Sequence, residues 1–462
     1  MRDGGSEAAA RDRDCTATRT GSYGTRKKVV AREFLRLLTA AVRTGMVGAV
    51  AAARPGNPYR PGVGTEPPYL ADREAQLERF QRYLDAFPER RQNVRLTGLR
   101  GVGKTVLLKE YRKAALERGW VVIRRDVTGR LCAEGDFAVA ISDDLREATE
   151  AFSKLAVVKR VITDTRKAIG EITVAAGVAV TVNVGGSSGR TSVLEDRVSD
   201  ALTRVGRLAA AAGAGVAFLY DEAHTIHDRP QQHQFPLGAL IGAFVQAQDD
   251  DAQLPVMLVV CGLPPLVTNL QRARSHAERL FRAEELGNLS LTAEAKSQPS
   301  KAALALTEPV RNTSISYNPA TAQRIVRDVD GYPYFIQKYG EAVFDAAVDS
   351  DAQLIDDRLY RAVKRLVQDD LDREFFEGRY NDAAASDQLS LRVAGSLGGE
   401  RFQFADLAAQ FQTRKPNATQ QSVNRLLQGN QIYRVRQGEY AYTAPLFGDF
   451  LRRKHPRADT DT

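Results

Sequence analysis

Gly98-Leu-Arg-Gly-Val-Gly-Lys104-Thr105 is a complete G-x-x-x-x-G-K-[ST] loop, and its flanks give it a structural setting. Asn93-Val-Arg-Leu-Thr97 alternates as a strand does, and Val106 to Leu116 spaces its apolar residues as a helix does. Strand, glycine loop and helix together aim backbone N–H groups and a helix N-terminus at a polyphosphate. Gly98, Gly101 and Gly103 let the chain curl without Cβ clashes. Arg100, Val102, Lys104, Thr105 and Val106 complete the cradle. Lys104 is placed to neutralise the β and γ oxygens, and Thr105 to offer its hydroxyl to Mg²⁺. The expected ligands are ATP and Mg²⁺.

A nucleotide site of this kind needs a carboxylate at the end of a second buried strand. Gly215-Val-Ala-Phe-Leu-Tyr-Asp221-Glu222 is a continuous apolar run followed by two acids, the pattern of a central parallel strand. Asp221 is expected in the Mg²⁺ shell, with Glu222 polarising the attacking water. A third run, Pro255 to Gly262, ends in Cys261-Gly262, where a polar sensing residue is usual; neither residue supplies one. The fold class that follows is α/β.

Length and composition bound the surroundings. A chain of 462 residues has room for roughly three domains of ~100–200 residues. A hydrophobic content of 43% fills real cores. Cys15, Cys132 and Cys261 have no paired spacing, which speaks against disulfides or a zinc site and for a reducing, cytoplasmic setting. The net charge of +8 is uneven: residues 1–60 carry +7, residues 387–457 carry +6, and residues 61–386 carry −3. Residues 1–55 read as a disordered or amphipathic extension. Arg43 splits their apolar stretch, and no other run is long enough for a membrane span.

Four further segments follow. Residues 56–285 read as the nucleotide-binding core, opened by the Pro/Gly-rich stretch 55–68. Within it, residues 150–195 read as a β-rich insertion, because Ile172 to Val184 alternates and Gly185-Gly-Ser-Ser-Gly189 breaks the run. Residues 286–385 read as a helical lid, with helix starts expected at Leu291 and Asn318 and a turn at Gly331-Tyr-Pro333. Residues 386–457 read as three helices and a hairpin, Ile432–Arg436 with Glu439–Thr443, before a tail at 458–462. That is the pattern of a winged helix. Its third helix would offer Thr419, Gln420, Asn424 and Arg425 to a groove of double-stranded DNA. Its wing would offer Arg434 and Arg436 to phosphates. Winged helices also serve as protein-docking modules, and that alternative stays open.

The ordered set of Tyr69-Leu-Ala-Asp-Arg73-Glu74, the phosphate loop, Asp221-Glu222, Ala277-Glu-Arg279-Leu-Phe281 and Gly331-Tyr-Pro333 resembles AAA+ and STAND-type P-loop ATPases, origin-recognition-like ATPases in particular. The resemblance implies a parallel sheet with a helical lid and a C-terminal winged helix. It implies a nucleotide switch with slow ATP hydrolysis, working on DNA or as a signalling or scaffold ATPase with a protein partner. Pro333 matches the lid proline that packs near the nucleotide. Arg279 matches the arginine that reaches the γ-phosphate of a neighbouring copy in self-assemblies. Two departures stand out: Asp72 occupies a position usually held by Gly, and no arginine stands at the usual lid sensor position.

Overall fold

Five short runs pair in parallel to make the central sheet: β1 (Asn93–Gly98), β2 (Val121–Asp126), β3 (Val216–Asp221), β4 (Val256–Gly262) and β5 (Phe281–Leu286), in the order β2-β3-β4-β1-β5. The computed structural model describes residues 56–457, apart from 63, 88, 90–91, 154–158, 182–187, 276, 294, 296–297 and 412–415. The expected extension at 1–55, the centre of the Gly-rich break at 182–187 and the tail at 458–462 therefore lie outside the described residues.

β3 and β4 are buried along their whole length, as a parallel sheet covered on both faces requires. Successive residues serve two cores. Ala217 and Leu219 join one apolar cluster, while Val216, Phe218 and Tyr220 join the other. Helices α1 (Glu74–Asp85) and α2 (Lys104–Glu117) pack with the first cluster, where Phe80 stacks on Tyr111 with ring centroids 3.9 Å apart. The second cluster takes α3 (Glu134–Ala151), α4 (Lys159–Thr181), α5 (Ser188–Ala211), α6 (Pro236–Asp250) and α7 (Pro265–Ala273).

The β-rich reading of residues 150–195 is overturned: α4 and α5 occupy the described part of that segment. Ile162, Thr165, Ala168, Ile169 and Ile172 are buried, at spacings of three and four. Val174, which a strand would place on the face of Ile172, is 63% exposed. The β propensity of the Thr/Val run loses to tertiary packing between α3 and α5.

Beyond β5 the chain is helical: α8 (Lys301–Thr307), α9 (Pro319–Asp328), α10 (Pro333–Asp349) and α11 (Asp357–Leu371), with a short parallel pair between β6 (Ser316–Tyr317) and β7 (Leu354–Ile355). Asn318 caps α9 as expected, its side chain accepting from Ala320 N and Thr321 N. No helix starts at Leu291. Ser300 supplies the first cap instead, accepting from Ala303 N at 3.2 Å. A π-helical turn, Asp372–Glu377, runs into α12 (Gly378–Asn381).

The C-terminal part contains α13 (Ala385–Ser396), β8 (Arg401–Gln403), α14 (Phe404–Ala409), α15 (Pro416–Gln428), β9 (Ile432–Arg436), β10 (Glu439–Tyr442) and α16 (Phe447–Lys454). The expected hairpin is present, turned by Gly438 at φ +81, and β8 adds a third antiparallel strand. α16, not anticipated, buries Phe447, Phe450 and Leu451. One apolar cluster is continuous from β1 through the helices after β5 to α16. No described helix is long and apolar enough to cross a membrane.

The helical packing of α4 is directly testable. Ile172→Ala should cost about 2–4 kcal/mol in denaturant unfolding, whereas Val174→Asp should stay within about 0.5 kcal/mol. Equal costs at the two positions would reinstate the strand.

Candidate nucleotide site

β1 ends where the chain has no room for side chains. A Cβ on Gly98 would lie 2.5 Å from the Leu286 carbonyl oxygen and 2.9 Å from Val102 Cγ2. Gly101 and Gly103 then take φ of +73 and +93, the left-handed region that favours glycine. The loop closes around Lys104, which is buried with its Nζ donating to the Leu99 carbonyl at 2.8 Å. Lys104 makes no ion pair among the described residues. Burial holds its ammonium below the usual lysine range. A buried cation with no ion pair among the described residues suits an incoming anion.

Thr105 donates its hydroxyl to Asp221 Oδ2 at 2.8 Å, which brings the end of β3 against the start of α2. Asp221 Oδ1 accepts from Glu222 N at 2.9 Å. Glu222 itself sits at φ +53 with its side chain 44% exposed, turned to the mouth of the site. Burial raises its pKa above the usual carboxylate value, against the pull of Lys104. Behind it, the His224 imidazole lies with Nδ1 3.3 Å from Glu222 Oε2, pushed down to about 4 by burial and by the charges of Arg100 and Lys104. It is therefore neutral near pH 7. At the end of β4, Gly262 lets His224 approach: a Cβ there would meet His224 N at 2.9 Å.

The cleft above the loop, of about 240 Å³, is roofed by elements far apart in sequence. Tyr69, Leu70 and Ala71 form one wall, and Leu289, Ala305 and Pro333 another. Gly331 at φ +66 makes the turn that delivers Pro333, and its carbonyl accepts from Leu289 N at 2.9 Å. Arg279, by contrast, does not line the cleft. It is exposed on the short turn Ala277–Leu280, and the nearby Glu284 pairs with Arg79 at 2.6 Å.

Residues 69–260 match the family model of the AAA ATPase domain. This segment is an AAA ATPase domain. Residues 373–451 match a second model, a domain of unknown function (DUF8462). No curated protein matches the chain. Among solved structures, the Aeropyrum pernix ORC2 protein in ADPNP-ADP complexes is 13% identical, with TM-score 0.47, over 84% of this chain and 94% of that one. Drosophila ORC bound to DNA is 12% identical, with TM-score 0.39, over 90% and 98%. Thermotoga maritima RuvB T158V is 14% identical, with TM-score 0.40, over 84% and 96%.

Arg73 and Arg100 were marked by the entry motif and the cradle, but their tethers, and Arg379 altogether, had no signal in the sequence. Arg73 is buried and donates to the carbonyls of Asp72 (2.7 Å), Val102 (3.0 Å) and Gly287 (2.8 Å), so it ties the phosphate loop to the segment after β5. Asp72 explains the departure from Gly: it takes φ +58 and recovers the strain by accepting from Ser290 N at 2.8 Å. Arg379 reaches the ATPase cleft from α12, its guanidinium 4.1 Å over the Phe375 ring, and neither it nor Arg100 has an ion pair among the described residues. The backbone of Arg100 is tethered twice. Its carbonyl accepts from the Tyr332 hydroxyl, and its N–H donates to the Thr443 carbonyl at 3.3 Å, beyond β10. Gln431 Nε2 donates to the Arg379 carbonyl at 2.7 Å, and the Gln431 carbonyl accepts from Thr443 N at 3.0 Å.

The groove-facing set expected on α15 is only partly presented. Thr419 is buried at 1% exposure, and Arg425 is held on both oxygens of Asp387, at 2.8 and 2.6 Å. Thr419 thus faces the interior, while the Arg425 side chain, 45% exposed, leans onto Asp387 of α13. Gln420 donates to the exposed Asn424 at 3.1 Å. On the hairpin, Arg434 and Arg436 are exposed; the first lies 5.9 Å over Tyr440 and the second pairs with Glu439 at 2.6 Å.

Arg73→Ala strips the donor from three carbonyls and should lower stability by about 2–4 kcal/mol. ATP-analogue binding should weaken beyond what the stability loss explains. Unchanged affinity by calorimetry would show that the phosphate loop does not depend on this tether.

Proposed function

We propose that this chain is an ATP-hydrolysing nucleotide switch of AAA+/STAND type, coupled to a C-terminal winged-helix module, acting in association with double-stranded DNA in the cytoplasm. The observation that carries the switch is the double tether on Arg100. One residue of the phosphate loop is held by Tyr332 from the helices after β5 and by Thr443 from the C-terminal module. A polyphosphate drawing the loop amides toward itself competes with both bonds, so occupancy biases how the three parts sit.

The chemistry follows from the side chains. Lys104 and the amides from Gly101 to Thr105 would bind the β and γ oxygens, and the unpaired guanidinium groups of Arg100 and Arg379 would offset further phosphate charge. The Thr105 hydroxyl and the Asp221 carboxylate, 2.8 Å apart, form an all-oxygen pair that suits Mg²⁺. Bound there, the ion would neutralise charge on the leaving group. Glu222, at the mouth and flanked by a neutral imidazole, accepts a proton from the attacking water. Arg279, outside its own cleft, would serve only the site of a neighbouring copy in a self-assembly. Pro333 on the cleft wall favours slow turnover, with the nucleotide held.

Lys104→Ala should abolish ATP binding. Glu222→Gln should keep binding and slow hydrolysis by about 10²–10⁴-fold; equal turnover would remove Glu222 as the base. The base works ionised, so turnover should fall as pH is lowered through a pKa above the ordinary carboxylate range, and that acid limb should vanish in Glu222→Gln. Tyr332→Phe should preserve nucleotide binding while shrinking the ATP-induced change in hydrodynamic size. An undiminished change would show that coupling runs elsewhere.

One observation favours a second reading, a signalling or scaffold ATPase whose winged helix binds protein: Thr419 is buried and Arg425 is engaged by Asp387. DNA affinity that falls steeply with salt distinguishes the first reading from the second.

A further inference from the structure

α11 buries Tyr360, Val363, Val367 and Leu371 and turns the opposite stripe outward. Arg358, Arg361 and Arg365 share that stripe at spacings of three and four residues. The side chains of Arg361 and Arg365 are 72% and 93% exposed. Beside them the last turn of α16 contributes Arg453 and Lys454. A cleft of about 480 Å³ lies between, with Lys364, Asp369 and Asp372 completing its lining of charged groups.

The carboxylates here are outnumbered. Asp357 serves both Arg324 and Arg361. Asp369 lies 3.1 Å from Lys454 and 4.0 Å from Arg365, and Asp372 lies 2.6 Å from Arg453 and 3.7 Å from Lys454. Asp328 is taken by Lys364 at 2.6 Å. Arg358 has no ion pair among the described residues. Asp372 is buried, but the shared pairs of Asp357 and Asp369 lie at the surface and hold weakly, so an incoming phosphate can displace them.

We infer that the exposed stripe of α11, with the end of α16, is a docking surface for the phosphate backbone of duplex DNA. The inference rests on the DNA association proposed above and places its backbone contacts. Three arginines on a straight helix span roughly 10 Å. A duplex carries one charge per about 1.7 Å of axis, so roughly six phosphates pass such a ridge. Guanidinium groups bind phosphate oxygens in pairs, which a row of flexible ammoniums does less well. The helix expected to read a groove has its arginine held on both oxygens of Asp387. On α11, by contrast, Arg358 has no ion pair among the described residues, and Arg361 and Arg365 share their carboxylates with other cations.

The test uses the full-length protein and a labelled random-sequence DNA duplex, titrated across a salt series. The triple variant Arg358→Ala, Arg361→Ala, Arg365→Ala should lose about tenfold or more in affinity and flatten the log K against log salt slope by about 3. Its ATP-analogue binding should be unchanged. Arg434→Ala with Arg436→Ala measures the wing separately. Arg365→Glu alone, at the most exposed of the three positions, should weaken binding in the same direction and guards against misfolding of the triple variant. If the wild type binds DNA and both α11 variants match it in affinity and slope, the surface is refuted while the DNA reading stands. If the wild type shows no salt-dependent DNA binding, both fall together.

Discussion

Burying the Lys104 ammonium without a carboxylate against it costs free energy that a bound anion recovers, and much of the molecule is arranged to keep that cation in place. The two left-handed glycines wrap the loop over it, β1 aims the loop, and α2 begins beneath it. Arg73 locks the outer turn through the Val102 carbonyl, and Thr105 reaches Asp221 on β3. The result is a site whose electrostatics are set before any ligand arrives.

From this constraint the rest of the architecture follows outward. Because Arg100 is tethered by Tyr332 and Thr443, the phosphate loop has no conformation of its own that leaves the helical part and the C-terminal module untouched. Arg379 repeats the arrangement from the other direction: its side chain lines the cleft while its carbonyl is held by Gln431. A shared apolar cluster runs through the same three parts, so they are joined by packing as well as by hydrogen bonds.

The side of the sheet that bears the second core carries a different burden. α4 and α5 join the second core through Ile, Leu, Val and Ala side chains and contribute no residue to the cleft lining among the described residues. Their sequence alternates like a strand over Ile172 to Val184, and only their burial at helical spacing reveals what they are. Local propensity there is a weak force against the area buried between two long helices.

Much of the cleft was legible in one dimension, for a physical reason. The loop needs glycine at fixed offsets, the strand ends need acids at fixed positions, and the Gly331–Pro333 turn needs a residue without Cβ beside the Leu289 carbonyl; such demands are local and leave marks in the chain. Asp72 was legible only as an irregularity, since its compensating bond to Ser290 lies more than two hundred residues away. Arg379 was silent, and so were the tethers of Arg73 and Arg100, because an arginine in a helix or loop reads as solvated until the fold brings carbonyls, rings or other cations around it. The same holds for the burial of Thr419 and for the pairing of Arg425 with Asp387, since the helical period was plain but neither neighbour is near in sequence. The sequence alone determined the phosphate loop, the acidic strand end and the order of the parts. Tertiary structure decided which cations stay unpaired, because pairing depends on neighbours that only long-range packing brings within 4 Å.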